Sequence, residues 1–350
     1  MGTYIYRLSF EGPTHFGVSG IGLEAVEERL PSDSLTSALI NAISISEGPE
    51  GVQETVNALA SRNPPFVLSS LFPFGPRLED PREITEALIK PMTPPNVTHE
   101  GILKDLGKDL KKIRYLRPED FALWISARPL EEKLLQEIIE RSLTFTDQWW
   151  REQLRPRVAL DRQSQNSAFW SQAAIWFEKE EHYEDGTLKR AGAGLYGLVR
   201  FYDEGWIARL ERAFKMLAEM GLGGERTYGM GLFTFGGFEE PPERWLEIFA
   251  VDIDIHVLLS LFYPSRDEKS QLKSSLVAWD IEERRGYITS GRFASSWKRK
   301  RVRMIKEGSI FRTPVRGCFV DVTPDGADSL GLSHRIWRSG LAFVIPGGGL

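Results

Sequence analysis

Tyr4 to Phe10, "YIYRLSF", alternates. Tyr4, Tyr6, Leu8 and Phe10 take one side and Ile5, Arg7 and Ser9 the other, the period of a half-buried strand. After the loop "EGPTHFGVSGIG", the segment "PSDSLTSALINAI" sets Leu35, Ala38, Leu39, Ala42 and Ile43 at helical spacing, with Ser32 or Asp33 as the N-cap. "PPFVLSSLFPF" reads as a strand. Six prolines between residues 73 and 95 predict an irregular loop, and residues 99 to 143 read as charged helix. "RVALDRQSQNSAFWSQAAIWFE" and "GAGLYGLVRFY" then read as two strands of one long hairpin, joined by the acidic turn "KEEHYEDGT". "WIARLERAFKMLAEM" carries Ile207, Leu210, Phe214, Leu217 and Met220 on one stripe, an amphipathic helix, and "GLFTFGGF" closes the set as a strand.

Without its insertions this order is β-α-β-β-α-β, the ferredoxin-like arrangement that RNA-recognition modules also use. "EEPPERW" marks a boundary. Beyond it, "FAVDIDIHVLLSLFYPS", a short polar helix from Asp267, "LVAWDIEERRGYIT" and "RVRMIKEGSIFR" predict a second, smaller β-rich domain. A length of 350 residues fits two such units.

The bulk numbers narrow the class. Hydrophobic residues make up 41% and charged residues 27%, the balance of a soluble chain with a real core. "MGTYIYRLSFEG" lacks the apolar region of a secretory signal, and no apolar run is long enough to span a bilayer. The single cysteine, Cys318, leaves no internal disulfide framework and no cysteine zinc cluster, so a reducing cytoplasm is the expected location. The net charge of −5 hides strong segregation. Arg284 to Arg316 holds eleven Lys or Arg against Glu307 alone, whereas Glu178 to Asp185 holds five carboxylates against one lysine. One surface should attract polyanions and another repel them.

"GLGGERTYGMG", Gly221 to Gly231, sets five glycines around one arginine. A dinucleotide fingerprint needs strand, glycines, helix; here the order is helix, glycines, strand, and no P-loop sequence occurs. Gly221 suits a helix C-cap, and Gly223 or Gly224 a turn, but Gly229 and Gly231 ask for more. The reading that accounts for them is a bare main chain with Arg226 at its crest, able to take an anion through N–H groups and a guanidinium. Histidines 15, 99, 182, 256 and 334 are scattered without a hydrolase or zincin motif. "VDIDIH" aligns Asp252, Asp254 and His256 on one strand face, more consistent with a polar outer face than a metal site.

"GLGGERTYGMGLF" resembles the C-terminal glycine-rich loop of the RAMP superfamily of CRISPR proteins. "GPTHFGVSGIGLE", "LPSDSLTSALINA", "FVLSSLFPF", "RPRVALDRQSQNSAFW", "EGSIFR", "DVTPDG" and "SGLAFVIP" follow in family order. Together they resemble the family of the fourth subunit of the type III-A CRISPR effector, the Csm complex; residues 76 to 150 add little beyond "KKIRYLRPEDF". The resemblance implies an α+β chain of two ferredoxin-like (RRM-like) domains, about residues 1–240 and 246–350. The first would carry a helical insertion, about 76–150, and a β-hairpin thumb, about 163–190, with the acidic turn at its tip.

It implies further a non-catalytic, cofactor-free, metal-free subunit that caps the 5′ handle of crRNA. That subunit sits between a large polymerase-like signalling subunit and a backbone RAMP subunit. The RNA-facing residues follow: His15 and Gly17 in the first loop; Ser32 and Asp33 at a helix N-terminus; Arg155, Arg157 and Arg162 leading into the thumb. Phe169 and Trp170 in the thumb either wedge between bases or pack as core aromatics. Gly223, Gly224, Arg226 and Gly229 form the seat, and Lys298 and Arg299 lie in the basic strip from Trp297 to Lys306, which either holds RNA or meets the large subunit. The rival reading is a metal-independent endoribonuclease processing CRISPR transcripts, with His15 as acid or base; a third is a pure protein adaptor.

Overall fold

β1 (Gly2–Phe10) runs inside the N-terminal sheet, so its centre is apolar on both faces and Ile5, Tyr6 and Leu8 are fully buried. The computed structural model describes residues 2–18, 24–160, 167–184, 187–251, 253–288, 297–327 and 334–346. α1 extends the predicted helix to Ser32–Leu59, crossing a kink where Gly48 (φ 73°) precedes Pro49. Its N-cap is Pro31, not Ser32 or Asp33, and no side chain caps it. The segment expected as one strand divides into β2 (Phe66–Leu68) and β3 (Phe72–Pro76), and the proline-rich stretch expected as an irregular loop also holds β4 (Ile84–Glu86) and β5 (Leu88–Ile89), the last paired with β6 (Tyr115–Leu116).

Four helices fill residues 100–144: α2 (Glu100–Asp105), α3 (Gly107–Lys112), α4 (Pro118–Ile125) and α5 (Glu132–Thr144). They are no loose appendage, because Phe121, Leu135 and Ile138 are fully buried in the main apolar core.

Two hairpins follow where one was expected. β7 (Trp150–Leu160) pairs with β8 (Ser167–Phe177) along eleven residues, and β9 (Lys179–Glu184) pairs with β10 (Thr187–Gly192). The acidic segment therefore belongs to the second, shorter hairpin. It does not cap the long one, whose turn lies outside the described residues, as does Arg162. β11 (Gly194–Phe201), α6 (Ile207–Met220) and β12 (Phe233–Phe235) complete a six-stranded antiparallel sheet in the order β12-β1-β11-β3-β4, with β2 also on β11. On one face Phe214 of α6 lies 4.8 Å from the rings of both Tyr6 and Phe235. On the other, Tyr196 meets Trp245 at 5.8 Å. Trp245 belongs to α7 (Glu243–Ala250), a helix where the sequence suggested a domain boundary.

The C-terminal strands are β13 (His256–Leu258), β14 (Leu276–Ala278), β15 (Ile281–Arg284), β16 (Val302–Ile305), β17 (Ile310–Phe311), β18 (Gly317–Asp321), β19 (Trp337–Leu341) and β20 (Val344–Ile345). They include a four-stranded antiparallel sheet, β14-β17-β13-β20. α8 (Arg266–Ser275) opens on a capping box between Ser265 and Glu268. The chain is thus a mixed α+β protein of antiparallel sheets, and no described helix is long and apolar enough to cross a membrane.

The two sheets meet along a seam that is polar as well as apolar. Asp33 is buried and accepts from Arg284 Nη2 at 3.0 Å and from Arg338. Burial alone would raise its pKa, but the two guanidiniums outweigh that and hold it below the ordinary value. The Ser32 hydroxyl accepts from the Leu261 N–H at 3.0 Å, and the Ser32 N–H donates to Ser70 Oγ at 2.9 Å. Glu307, also buried, takes Arg29 at 2.8 Å and the Ser70 hydroxyl.

Asp33→Asn should leave two buried guanidiniums poorly compensated and lower stability by about 3–5 kcal/mol, read from urea denaturation. Because the folded pKa of Asp33 is depressed, its contribution is complete above the ordinary aspartate range, near pH 4. The gap between wild type and variant should stay constant above about pH 5 and close as the pH falls further. A gap that widened in acid would contradict this seam.

Candidate nucleic-acid interface

The glycine loop starts where α6 stops. Gly221 (φ 79°) caps the helix, its N–H donating to Leu217 O at 2.9 Å. The chain then zips onto the first loop: Gly224 N–H donates to His15 O at 2.8 Å and Gly231 N–H to Pro13 O at 2.9 Å. A Cβ on Gly231 would stand 2.1 Å from Leu222 O, and one on Gly223 2.7 Å from His15 O. Much of the main chain expected to face a ligand therefore faces polypeptide, and close backbone approach explains most of the glycines. Only the crest is open. Arg226–Tyr228 forms one 3-10 turn, exposed along with Gly229, and a Cβ on Gly229 would touch nothing within 4 Å.

His15 fixes this arrangement from below. Its ring is buried, and Nδ1 lies 2.8 Å from Ala173 O on β8. A carbonyl only accepts, so Nδ1 donates, and Nε2 is left for the cleft side, near Gly17. Thr14 and Ile175 exchange two backbone hydrogen bonds beside it, at 2.8 and 2.9 Å. First loop, glycine loop and long hairpin are thereby one assembly.

The hairpin has two unlike faces. Register places Leu154, Val158, Leu160 and Phe169 on one and Arg155, Arg157, Trp170 and Trp176 on the other. Phe169 is 71% exposed and Trp170 37%, so neither is a core residue. Arg155 lies 5.2 Å over the Trp176 ring, and Arg157 lies 5.0 Å over Tyr228 at the glycine crest while donating from Nε to Gln172 at 2.8 Å. Arg157 thus joins hairpin to crest.

Glycine loop, α1 and the C-terminal strands enclose a cleft of about 540 Å³. His15, Gly17, Gly223, Gly224, Arg226 and Arg299 all line it. So does Asp33, but its carboxylate is engaged by Arg284 and Arg338, and Ser32 is closed off by Leu261 and Ser70; neither is the open RNA contact the sequence suggested. Most cations of the cleft are similarly paired: Arg29 with Glu307, Arg285 with Glu283, Lys306 with Asp280. Among the described residues Arg226 and Arg299 form no ion pair. Arg299 Nε is buried without a hydrogen-bond partner, and burial, then the neighbouring Arg338, push its guanidinium below the ordinary value. Lys298 is exposed outside the cleft, 5.8 Å over Tyr287.

His256 Nδ1 lies 3.1 Å from Pro346 O; β13 begins only at His256, so Asp254 does not share its strand, and Asp252 is outside the described residues. Sequence reasoning missed Tyr287, Arg285, Arg338 and the α1 residues Ser37 and Asn41, which all line the cleft. The basic composition of Arg284 to Arg316 signalled Arg285; nothing local signalled the rest.

Residues 252–347 match the family model described as the CRISPR Csm4 C-terminal domain. Over 327 residues, 90% of this chain and 90% of the relative, it is 29% identical to the CRISPR system Cms protein Csm4 of Thermococcus onnurineus (strain NA1). The corresponding protein of Methanocaldococcus jannaschii is 25% identical over 47% of this chain and 51% of its own. A chain in the crystal structure of the Csm3-Csm4 subcomplex of the type III-A CRISPR-Cas interference complex superposes with a TM-score of 0.60 at 18% identity, covering 100% of both. One in the Csm1-Csm4 cassette with pppApA gives 0.56 at 21%, covering 98% and 96%. The fold is shared with those chains of the two solved complexes. The chain is similar to Csm4 proteins over most of its length, and its C-terminal part matches the Csm4 C-terminal domain.

Glycines that face polypeptide should tolerate substitution worst. Gly231→Ala, at φ 80° and against a carbonyl, should cost about 2–4 kcal/mol, whereas Gly229→Ala, in open space at φ 76°, should cost about 1–2 kcal/mol for its backbone angle alone. Thermal denaturation of the two variants checks this; equal losses would contradict the packing described.

Proposed function

We propose that the chain is a non-catalytic crRNA-binding subunit of a type III-A CRISPR (Csm) effector, which caps the repeat-derived 5′ handle and bridges the large signalling subunit to the backbone subunits in antiviral defence. One observation carries the reading: two unpaired guanidiniums, Arg226 and Arg299, brought from distant parts of the sequence to one cleft whose other cations are neutralised. A chain of phosphates fits that gap. The relatives' names and the partners in the similar solved assemblies agree with it. Phosphates would run past Arg226, Arg299 and Lys298 toward Arg155 and Arg157 of the long hairpin, with Arg162 further along, and Phe169 and Trp170 would wedge between bases. His15 and the glycines of the loop shape the seat rather than react.

The finer fold assignment belongs to the same proposal: two ferredoxin-like domains, about residues 1–240 and 246–350. Its support is topological. In the N-terminal sheet the strands β1, β2/β3, β11 and β12 take the order 4-1-3-2, with α1 and α6 as crossovers. The C-terminal strands β13, β14, β17 and β20 take the same order, with α8 as the first crossover. A cytoplasmic location is part of the reading as well. The ribonuclease alternative asks His15 to shuttle protons, yet its ring is 5% exposed and tied through Nδ1 to Ala173.

Expressed with its neighbours, the protein should elute with small RNAs of uniform 5′ end, and Arg226→Glu should lose much of that RNA. Affinity for handle RNA should fall with salt at a log–log slope of about −0.7 per phosphate, near −4 for about six contacts. Salt-insensitive affinity would contradict the reading, as would specific cleavage of repeat RNA in EDTA that His15→Ala abolishes.

A further inference from the structure

The C-terminal wall of the cleft is a two-stranded arm. β15 and β16 pair through Arg284↔Val302, and the pairing continues to Tyr287↔Lys298 with a slip of one residue. Gly286, at φ 151°, sits within the slip, and the Arg299 N–H donates to its carbonyl at 2.9 Å. Tyr287 and Arg299, on the two strands of this irregularity, both line the cleft, and Tyr287 is 52% exposed. Facing them, α1 contributes Ser37 and Asn41, one turn apart on one helix face. Neither side chain has a hydrogen-bond partner among the described residues. The cleft therefore combines an exposed ring, two free guanidiniums and a short uncharged row of donors and acceptors.

We propose that one nucleotide of the bound RNA is turned out of its stack into this cleft. Its base lies against Tyr287, its phosphate lies between Arg226 and Arg299, and its ribose and base edge meet Ser37 and Asn41. The inference rests on the RNA-binding reading above and adds to it a clamp made by both halves of the chain. Each part matches a property of a nucleotide. Aromatic rings stack unpaired bases, and Asn offers both a donor and an acceptor to a 2′-hydroxyl. The carboxylates of the cleft, Asp33, Glu27, Glu282 and Glu283, are each held by an arginine, which confines the phosphate to the two free guanidiniums. An acidic peptide would satisfy the arginines but not the ring and the uncharged row.

The assembled complex tests this. Ultraviolet crosslinking followed by mass spectrometry should join Tyr287 to a single handle position. Tyr287→Ala should weaken handle binding about tenfold, as expected for loss of one stacked base, while Tyr287→Phe should retain it. Removing the base at the crosslinked position should cost wild type the same tenfold and cost Tyr287→Ala nothing more. Arg299→Ala should also weaken binding and reduce the salt slope by about 0.7. Additive effects, a Tyr287 crosslink to protein, or full binding by Tyr287→Ala would overturn the clamp and leave the RNA-binding reading standing. A wild-type complex that holds no RNA would overturn both.

Discussion

A buried carboxylate between two guanidiniums, Asp33 with Arg284 and Arg338, sets the geometry on which the candidate interface depends. An isolated charge at this depth would cost far more than a fold can offset, so Asp33 requires its partners in place. They lie on β15 and β19, and holding them fixes the start of α1 against the C-terminal arm. Glu307, between Arg29 and Ser70, repeats the device a short way along the same seam. A seam joined by ion pairs keeps a polar wall where it opens. The cleft is that opening, and its charge follows from stoichiometry: most of its cations are neutralised internally, and the two that are not give it a net attraction for anions.

The elements with a strong local period were readable from sequence. The alternation of β1 and the apolar stripe of α6 both became core, and Phe214 stacks where that stripe predicts. Other features have no local signature. Polar residues after Arg162 read as the continuation of a strand, because alternation does not reveal that a strand of eleven residues folds back upon itself. Ser32 and Asp33 looked like an open helix terminus because their partners, Leu261, Arg284 and Arg338, lie more than two hundred residues away. The insertion helices were seen as helices but not as the cover of a sheet face, since burial depends on what the rest of the chain presents. For the site, the basic strip and the glycine loop were legible as chemistry. Their meeting in one cleft was not.

The glycines answer to two demands at once. Gly223, Gly224 and Gly231 let two backbones approach until hydrogen bonds close between them, and that contact holds Arg226 and Tyr228 outward on a braced turn rather than a floppy one. Arg157 braces it from the other side. Its Nε is engaged by Gln172 and its plane covers Tyr228, so the remaining guanidinium nitrogens stay available beside the crest. Hairpin, crest and first loop form one preorganised edge, and preorganisation lowers the ordering cost of binding an extended strand.

Arg299 shows why the cleft is more than a gap left by packing. Its guanidinium lies near Arg338 with a buried Nε that nothing accepts from, and burial and that neighbour push its pKa down, so the uncompensated charge costs the free protein stability. A fold selected only for stability would place a carboxylate there, as it does for Arg284, Arg285 and Arg338. Leaving one cation uncompensated among three compensated ones is a local inconsistency of the kind that marks a binding site. The missing acceptor must be an anion, it must reach a half-buried position, and it must be compatible with an aromatic ring and neutral hydrogen-bonding groups alongside. A nucleotide phosphate attached to its own base and sugar meets all three conditions, and an inorganic anion or an exposed acidic side chain meets at most the first two.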